Sequence, residues 1–306
     1  TSAIASEVMP VILCHDIQHQ AEIAAMLKGR CRLAPSYLVA AYDDTWFRDY
    51  GPICVAANGK PKLLDFTFTG WGNKYDASLD DAVNQSLKAI WQADLHSVAL
   101  ELEGGSIETD GKGTLLSTVQ CLLSGKRNAR YSPSELEQVL LKNLGLSRTL
   151  WLHEGILVGD DTDSHIDNLA RFCSADTIVY SICSNPNDPH YVPLQAMAKE
   201  LHQFRQISGA PYQLHGIEIP SPRIDEQGRR LPGSYVNFLI LNNSIIMPVF
   251  DCPQDAAAIA TLKRCFADKR ILTVPGNNLI RQFGGPHCAT MQLPEGCINQ
   301  QVTKHD

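Results

Sequence analysis

The chain has 306 residues, 44% hydrophobic and 19% charged, with 26 basic against 33 acidic side chains and a net charge of −7. This is the composition of an ordinary folded protein, and it excludes a chain disordered as a whole. The acidic balance disfavours a broad nucleic-acid surface, which needs a basic face, and suits a cationic substrate or partner.

In chain order, Val11–Cys14 reads as a strand, and a helix is predicted over about 17–28, after Asp16 and before Gly29. Its apolar set, Ala21, Ile23, Ala24, Ala25 and Leu27, follows the helical period only roughly. A strand over Leu63–Phe68 precedes a helix over about 79–92, with Ser78 as its cap and Leu79, Ala82, Val83, Leu87 and Ile90 on one side. Val98–Leu102 alternates as a strand does. Ser132-Pro133 opens a third helix by the cap-then-proline rule, and it runs through Leu136, Val139, Leu140 and Leu144 to Gly145. The strand Thr177–Ile182, a helix over about 192–204, the strand Tyr235–Leu241 and a helix over about 254–267 follow. Asp188–His190 and Pro220–Pro232 read as loops.

The helix starts recur roughly every 60 residues, so five modules of several strands and one helix would fill residues 1–306 as a single domain. Identity between modules is negligible, and an ordinary open α/β sheet stays open as the alternative. No run approaches the 18 or more apolar residues of a membrane span. Thr1–Val8 lacks the basic start and long apolar run of a signal peptide, and the missing Met reads as removal before a small residue or as a truncated N-terminus. The ten cysteines form no CxxC array, which disfavours a zinc site. Most sit in apolar surroundings, Cys14, Cys54 and Cys121 among them, and read as buried reduced thiols of a cytoplasmic protein.

Polar residues of catalytic type fall where strands end in turns. Asp49, between aromatics and Gly51-Pro52, is either a carboxylate in a low-dielectric pocket or a partner of Arg48 and cap of a turn. Glu103 precedes Gly104-Gly105, a pair that lets backbone approach a ligand closely, and reads as a group that orients a histidine or as a solvated strand end. His165 and Asp167, two apart, would share one face of a strand; acid/base work, a metal pair and a structural role all remain open. Asn237 stands in an apolar strand and needs hydrogen-bond partners. Cys288 follows the Gly284-Gly285-Pro286-His287 turn and precedes a predicted strand over Ala289–Met291, unlike the other cysteines. A nucleophilic cysteine needs thiolate character and access. On a strand His287 would face away from Cys288, which makes His165 the better base. These five stations, Asp49, Glu103, His165, Asn237 and Cys288, are 54, 62, 72 and 51 residues apart, the same spacing as the helices.

RDYGP, LEGG, HIDN, YVNF and GGPHCATMQ, in this order, resemble the agmatine deiminase and bacterial peptidyl-arginine deiminase family of guanidino-modifying enzymes, over about residues 10–295. The resemblance implies a five-bladed α/β-propeller, the pentein fold, of ββαβ modules around a pseudo-fivefold axis with the site in its channel. By position it makes Cys288 the nucleophile and His165 the general acid/base. It makes Asp49 and Asp167 the grip on a guanidinium and Glu103 the support of the histidine. Asn237, Gly285, Trp46 and Trp71 fall at the substrate pocket. Pro286 and Ser164 depart from the residues expected there, and the family's upstream Trp-containing stretch precedes the start of this chain. The implied reaction is hydrolysis of agmatine to N-carbamoylputrescine and ammonia, with no metal or organic cofactor, on a small cationic substrate in the cytoplasm, and with a homodimer as an open assembly. Peptidyl- or free-arginine deimination is the near alternative, for which Arg127, Arg130, Arg223, Arg229 and Arg230 could meet an α-carboxylate. An amidinotransferase and a non-catalytic binding protein of the same fold stand further off.

Overall fold

The computed structural model describes residues 1–299 and 302. Among the described residues, fourteen strands make five small sheets. Strands β1 (Val11–Cys14) and β2 (Ser36–Val39) pair in parallel across the helix Ile17–Leu27. Four three-stranded sheets then follow one plan. In the first, β3 (Ile53–Ala57) and β4 (Lys60–Thr67) pair antiparallel, the helix Ser78–Ser86 crosses over, and β5 (Asp94–Glu101) returns parallel to β4. Strands β6 (Ile107–Thr109), β7 (Thr114–Thr118) and β8 (Arg148–Leu152) repeat this around the helix Pro133–Leu144. Strands β9 (Ala170–Ser174), β10 (Thr177–Ile182) and β11 (Gln213–Glu218) do so around Tyr191–Gln203. Strands β12 (Leu239–Ile240), β13 (Ser244–Val249) and β14 (Arg270–Pro275) do so around Gln254–Cys265.

The middle strand of a sheet has neighbours on both edges and packing on both faces, so it reads as a continuous run rather than an alternation. All five residues of β7 are buried, as are the first five of β10 and of β13. The helices pack on these sheets through the expected apolar positions. Leu136, Leu140 and Leu144 are buried on one helix, and Leu194, Met197 and Leu201 on the next. Ser132 and Glu135 form a reciprocal capping box, Pro133 fills the first turn and Gly145 closes the helix at φ 70°.

Several sequence expectations need correction. Ser78 is the first residue of its helix rather than the cap, and the helix stops at Ser86, with a separate 3₁₀ turn over Lys88–Ile90. The helix Ile17–Leu27 has no fully buried residue, in keeping with its poor apolar period. Tyr235–Leu241 is a strand only at Leu239–Ile240. Upstream, the Arg171 guanidinium donates to the carbonyls of Val236 and Phe238, which diverts them from a ladder. Residues 289–291 form no strand: the chain turns through residue 289, with Ala289 and Thr290 donating backbone N–H bonds to the Gly285 and His287 carbonyls. His165 and Asp167 are not on a strand: His165 caps a 3₁₀ turn, Ile166–Asn168. No helix among the described residues is long and apolar enough to cross a membrane.

Candidate active site

Four of the five polar stations sit at the same place in the repeated plan, just ahead of the first strand of a sheet. Asp49 lies in the short helical turn Phe47–Tyr50 just ahead of β3. Glu103 precedes the 3₁₀ turn Gly104–Ser106 that leads into β6. His165 and Asp167 precede β9, and Asn237 precedes β12. Cys288 comes after the last sheet and is held to the first loop: its carbonyl accepts from Arg48 N at 3.0 Å, and the His287 carbonyl accepts from Arg48 Nε at 3.3 Å.

These loops bring the polar groups together. The Asn237 amide donates to Cys288 Sγ at 3.1 Å, and the thiol lies 3.5 Å from Asp167 Oδ2. Asn237 Oδ1 accepts from His287 N at 3.1 Å, so one side chain orients both the turn and the sulfur. His165 Nδ1 is 3.7 Å from Asp49 Oδ1, and its Nε2 is 3.9 Å from Glu103 Oε2. Asp49 accepts from Gly105 N at 2.9 Å and from the Trp71 indole at 3.0 Å. Arg127 Nε donates to both oxygens of Glu103, at 2.6 and 2.8 Å. Both ring nitrogens of His165 and Oδ1 of Asp167 are buried and make no hydrogen bond to the described residues.

Gly105 marks where the groups converge. A Cβ there would lie 2.6 Å from His165 Nδ1, 2.8 Å from Asp49 Oδ1 and 3.1 Å from Asp167 Oδ2. Its absence leaves those three polar atoms facing one point. Gly284 and Gly285 allow the cysteine turn equally close approaches, to the Trp46 ring and to Asn237. Trp46 and Trp71 belong to one buried apolar cluster with Cys288.

Burial sets the protonation of the site. It raises the carboxyl of Asp49, against the pull of His165, and that of Asp167 to about 6. It also pushes the Cys288 thiol well above its ordinary value, and the charges of Asp167 and Asp49 add to this. Burial opposes charge on His165, yet Asp49 beside it holds the imidazolium well above the ordinary histidine value. Burial likewise opposes charge on Glu103, and His165 and Arg127 outweigh it to keep that carboxyl below its usual range. His287 is the opposite case. Burial, with the cations Arg171 and Arg48, pushes it well below the ordinary value.

A family profile described as Porphyromonas-type peptidyl-arginine deiminase matches residues 1–294. The chain belongs to this family. An agmatine deiminase of Ectopseudomonas mendocina is 37% identical over 277 residues, covering 82% of this chain and 75% of the relative. Another, of Stutzerimonas stutzeri, is 34% identical, covering 93% of this chain and 83% of the relative. The structure of a C. jejuni agmatine deiminase with substrate bound superposes with a TM-score of 0.87 at 34% identity, covering 94% of this chain and 83% of that one.

In this deiminase-family chain the residues read from the sequence, Asp49, Glu103, His165, Asp167, Asn237, Gly285, Trp46, Trp71 and Cys288, are all buried or in buried turns of one neighbourhood. Glu103 is no solvated strand end, and Asp49 is bound by Trp71 and Gly105 rather than by Arg48. Three neighbours of these residues escaped the sequence reading. His287 was expected to face away, but its Nδ1 lies 2.8 Å from Asp167 Oδ2, because the segment is a turn. Arg127 was expected in a loop, free for a carboxylate, and is fully buried against Glu103 and Asp163. Cys121 is a buried thiol as expected, yet its sulfur lies with a Glu103 oxygen and a His165 nitrogen in a group spanning at most 4.8 Å. All ten cysteines are free, as reduced thiols would be.

Proposed function

We propose that this protein hydrolyses agmatine to N-carbamoylputrescine and ammonia through a covalent intermediate on Cys288. The observation that carries the reading is the convergence of two carboxylates, an imidazole and a thiol on the open side of Gly105. A guanidinium is a planar cation, and Asp49 and Asp167 would each accept paired N–H bonds from it. Its charge offsets the burial that keeps Cys288 a thiol, so the substrate brings its own nucleophile into play. As the guanidinium seats, the Cys288 thiol loses its proton to solvent, to be regained when the sulfur is released, and the sulfur bonds to the guanidino carbon. The C–N bond breaks, and His165, already inclined to hold a proton, gives it to the leaving nitrogen. Ammonia departs and an S-alkylthiouronium remains. His165 then takes a proton from water, whose oxygen attacks the same carbon. The C–S bond breaks, releasing the ureido product and the sulfur. Glu103 supports His165 in both steps, Asn237 steadies the sulfur, and Trp46, Trp71 and Gly285 shape the pocket; no cofactor enters.

Agmatine is favoured over arginine by the state of the loop arginines. An arginine substrate needs a cation for its α-carboxylate. Arg127 is held by Glu103 and Asp163, Arg229 by Asp225 and Arg230 by Asp188, while Arg130 and Arg223 donate to the carbonyls of Ala99 and Phe250. The relatives named as agmatine deiminases support the same choice. Peptidyl-arginine, after which the family profile is named, is the second reading. We further read the five sheets as the blades of a propeller about a pseudo-fivefold axis, forming one domain of five modules. A cytoplasmic homodimer completes this reading. Light scattering on the purified chain would test the dimer.

The test is ammonia release from agmatine, free arginine and an internal-arginine peptide, with Cys288→Ala as control. Release from agmatine alone, lost in Cys288→Ala, is expected. Turnover that survives Cys288→Ala would overturn the covalent route, and release only from the peptide would move the substrate assignment to protein arginine.

A further inference from the structure

We infer that Glu103, Cys121 and His165 form an inhibitory site for a thiophilic divalent cation of the zinc class. One ligand atom from each, a carboxylate oxygen, a sulfur and a ring nitrogen, lies within 4.8 Å of the others, and all three residues are buried. Zinc holds such atoms at about 2.0–2.3 Å, so shifts of roughly 1 Å close the shell and leave a fourth position for water. A thiolate with an imidazole and a carboxylate selects zinc-like ions over calcium or magnesium, which take oxygen ligands. A second observation points the same way: both ring nitrogens of His165 are buried without a hydrogen bond. Apart from its contact with His165 in this group, the Cys121 sulfur has a long contact of 3.9 Å to the Thr162 carbonyl.

The charges close as well. A divalent ion and the Arg127 guanidinium would face the Glu103 and Asp49 carboxylates and the Cys121 thiolate. Arg127 occupies one lone pair on each Glu103 oxygen, and each oxygen has a second. Binding displaces the thiol proton of Cys121, and that of the imidazole where it carries one. A metal on His165 removes the group that moves protons in the proposed reaction. The loss of turnover therefore rests on that reading, whereas the binding does not. Cys121 has no part in the reaction, so the site adds regulation by metal to the deiminase pocket without adding a cofactor.

Cobalt(II) is the probe, since a thiolate ligand gives it a near-ultraviolet charge-transfer band. The band is expected in the wild type and in Cys288→Ala, and absent in Cys121→Ala and in Cys121→Ser, which keeps the volume of the thiol. Zinc should inhibit ammonia release from agmatine reversibly by chelator. Cys121→Ser should keep its basal turnover and need at least tenfold more zinc for the same inhibition. No band in the wild type would overturn the site. So would a band that survives both Cys121 variants, and one lost in Cys288→Ala would place the metal on the nucleophile instead. A wild type that binds cobalt but turns over no guanidine would refute the deiminase reading and leave the metal site standing.

Discussion

Asp167 has one oxygen committed and one bare. Its Oδ2 faces His287 Nδ1 and Cys288 Sγ, while Oδ1 has no partner among the described residues. The depressed basicity of His287 leaves a neutral ring that donates its Nδ1–H to the carboxylate and so helps hold it ionised. Asp49 differs, since both its oxygens already accept a hydrogen bond. Replacing either by Asn keeps the shape and removes the charge. Loss of a charge-assisted pair costs on the order of 2–3 kcal/mol, roughly 30- to 150-fold in binding. Agmatine titrated calorimetrically into Cys288→Ala carrying Asp49→Asn or Asp167→Asn should bind that much more weakly; unchanged affinity would sink the carboxylate clamp. At this scale the sequence was informative wherever chemistry needs a particular residue type: a carboxylate beside Gly-Pro, HxD, a cysteine after paired glycines. It failed for His287, because facing was argued from a strand that the Pro286 turn never forms.

Arg127 and Glu103 join two loops that no local sequence signal pairs. Arg127 lies beyond β7, and its guanidinium reaches Glu103, ahead of β6, and Asp163, ahead of β9. Asp163 and Ser164 both have left-handed backbone, at φ 65° and 69°, a conformation that non-glycine residues hold only when surroundings enforce it. Asp163 is gripped by Lys74, Lys126 and Arg127, which together enforce it. Arg127→Met should therefore be severe. It leaves Glu103 buried without its guanidinium and with only the His165 imidazole beside it, which costs about 3–5 kcal/mol, a large share of a normal folding stability. The double variant Glu103→Met/Arg127→Met should recover part of this, as it removes both charges. Urea unfolding of wild type, single and double variants measures it, and a single-variant cost under about 1 kcal/mol would contradict the argument. Elements were legible where local signals agreed, as at the Ser132-Pro133 helix start with Gly145 at its end. They were misread at Tyr235–Leu241, where a distant side chain, Arg171, claims the carbonyls that a strand would need.

Across the whole molecule, the recurrence was legible because each module needs a helical segment and an apolar run for its middle strand, and these alternate at a fixed spacing. What joins the units was not, because those contacts pair residues far apart in sequence and polar ones at that. His190 is such a joint. Its Nε2 accepts from Val158 N at 2.8 Å, and its Nδ1 faces Asp188 at 2.6 Å, whose other oxygen meets Arg230 at 3.2 Å. Three separate loops thus meet on one buried imidazole. Accepting from Val158 requires an unprotonated Nε2, and burial, despite Asp188, sets this histidine below its ordinary value. The unfolded chain takes up this proton as pH falls through about 6.5, while the folded chain does not. More protons bound by the unfolded state means that stability falls with pH, so this contribution is present above about 6.5 and is lost below it. Thermal melts from pH 7.5 to 5.5 should show the wild type losing more stability than His190→Gln, which keeps an acceptor for Val158 and has no proton to gain. Parallel lines for the two proteins would mean that this joint does not titrate, and that acid acts elsewhere.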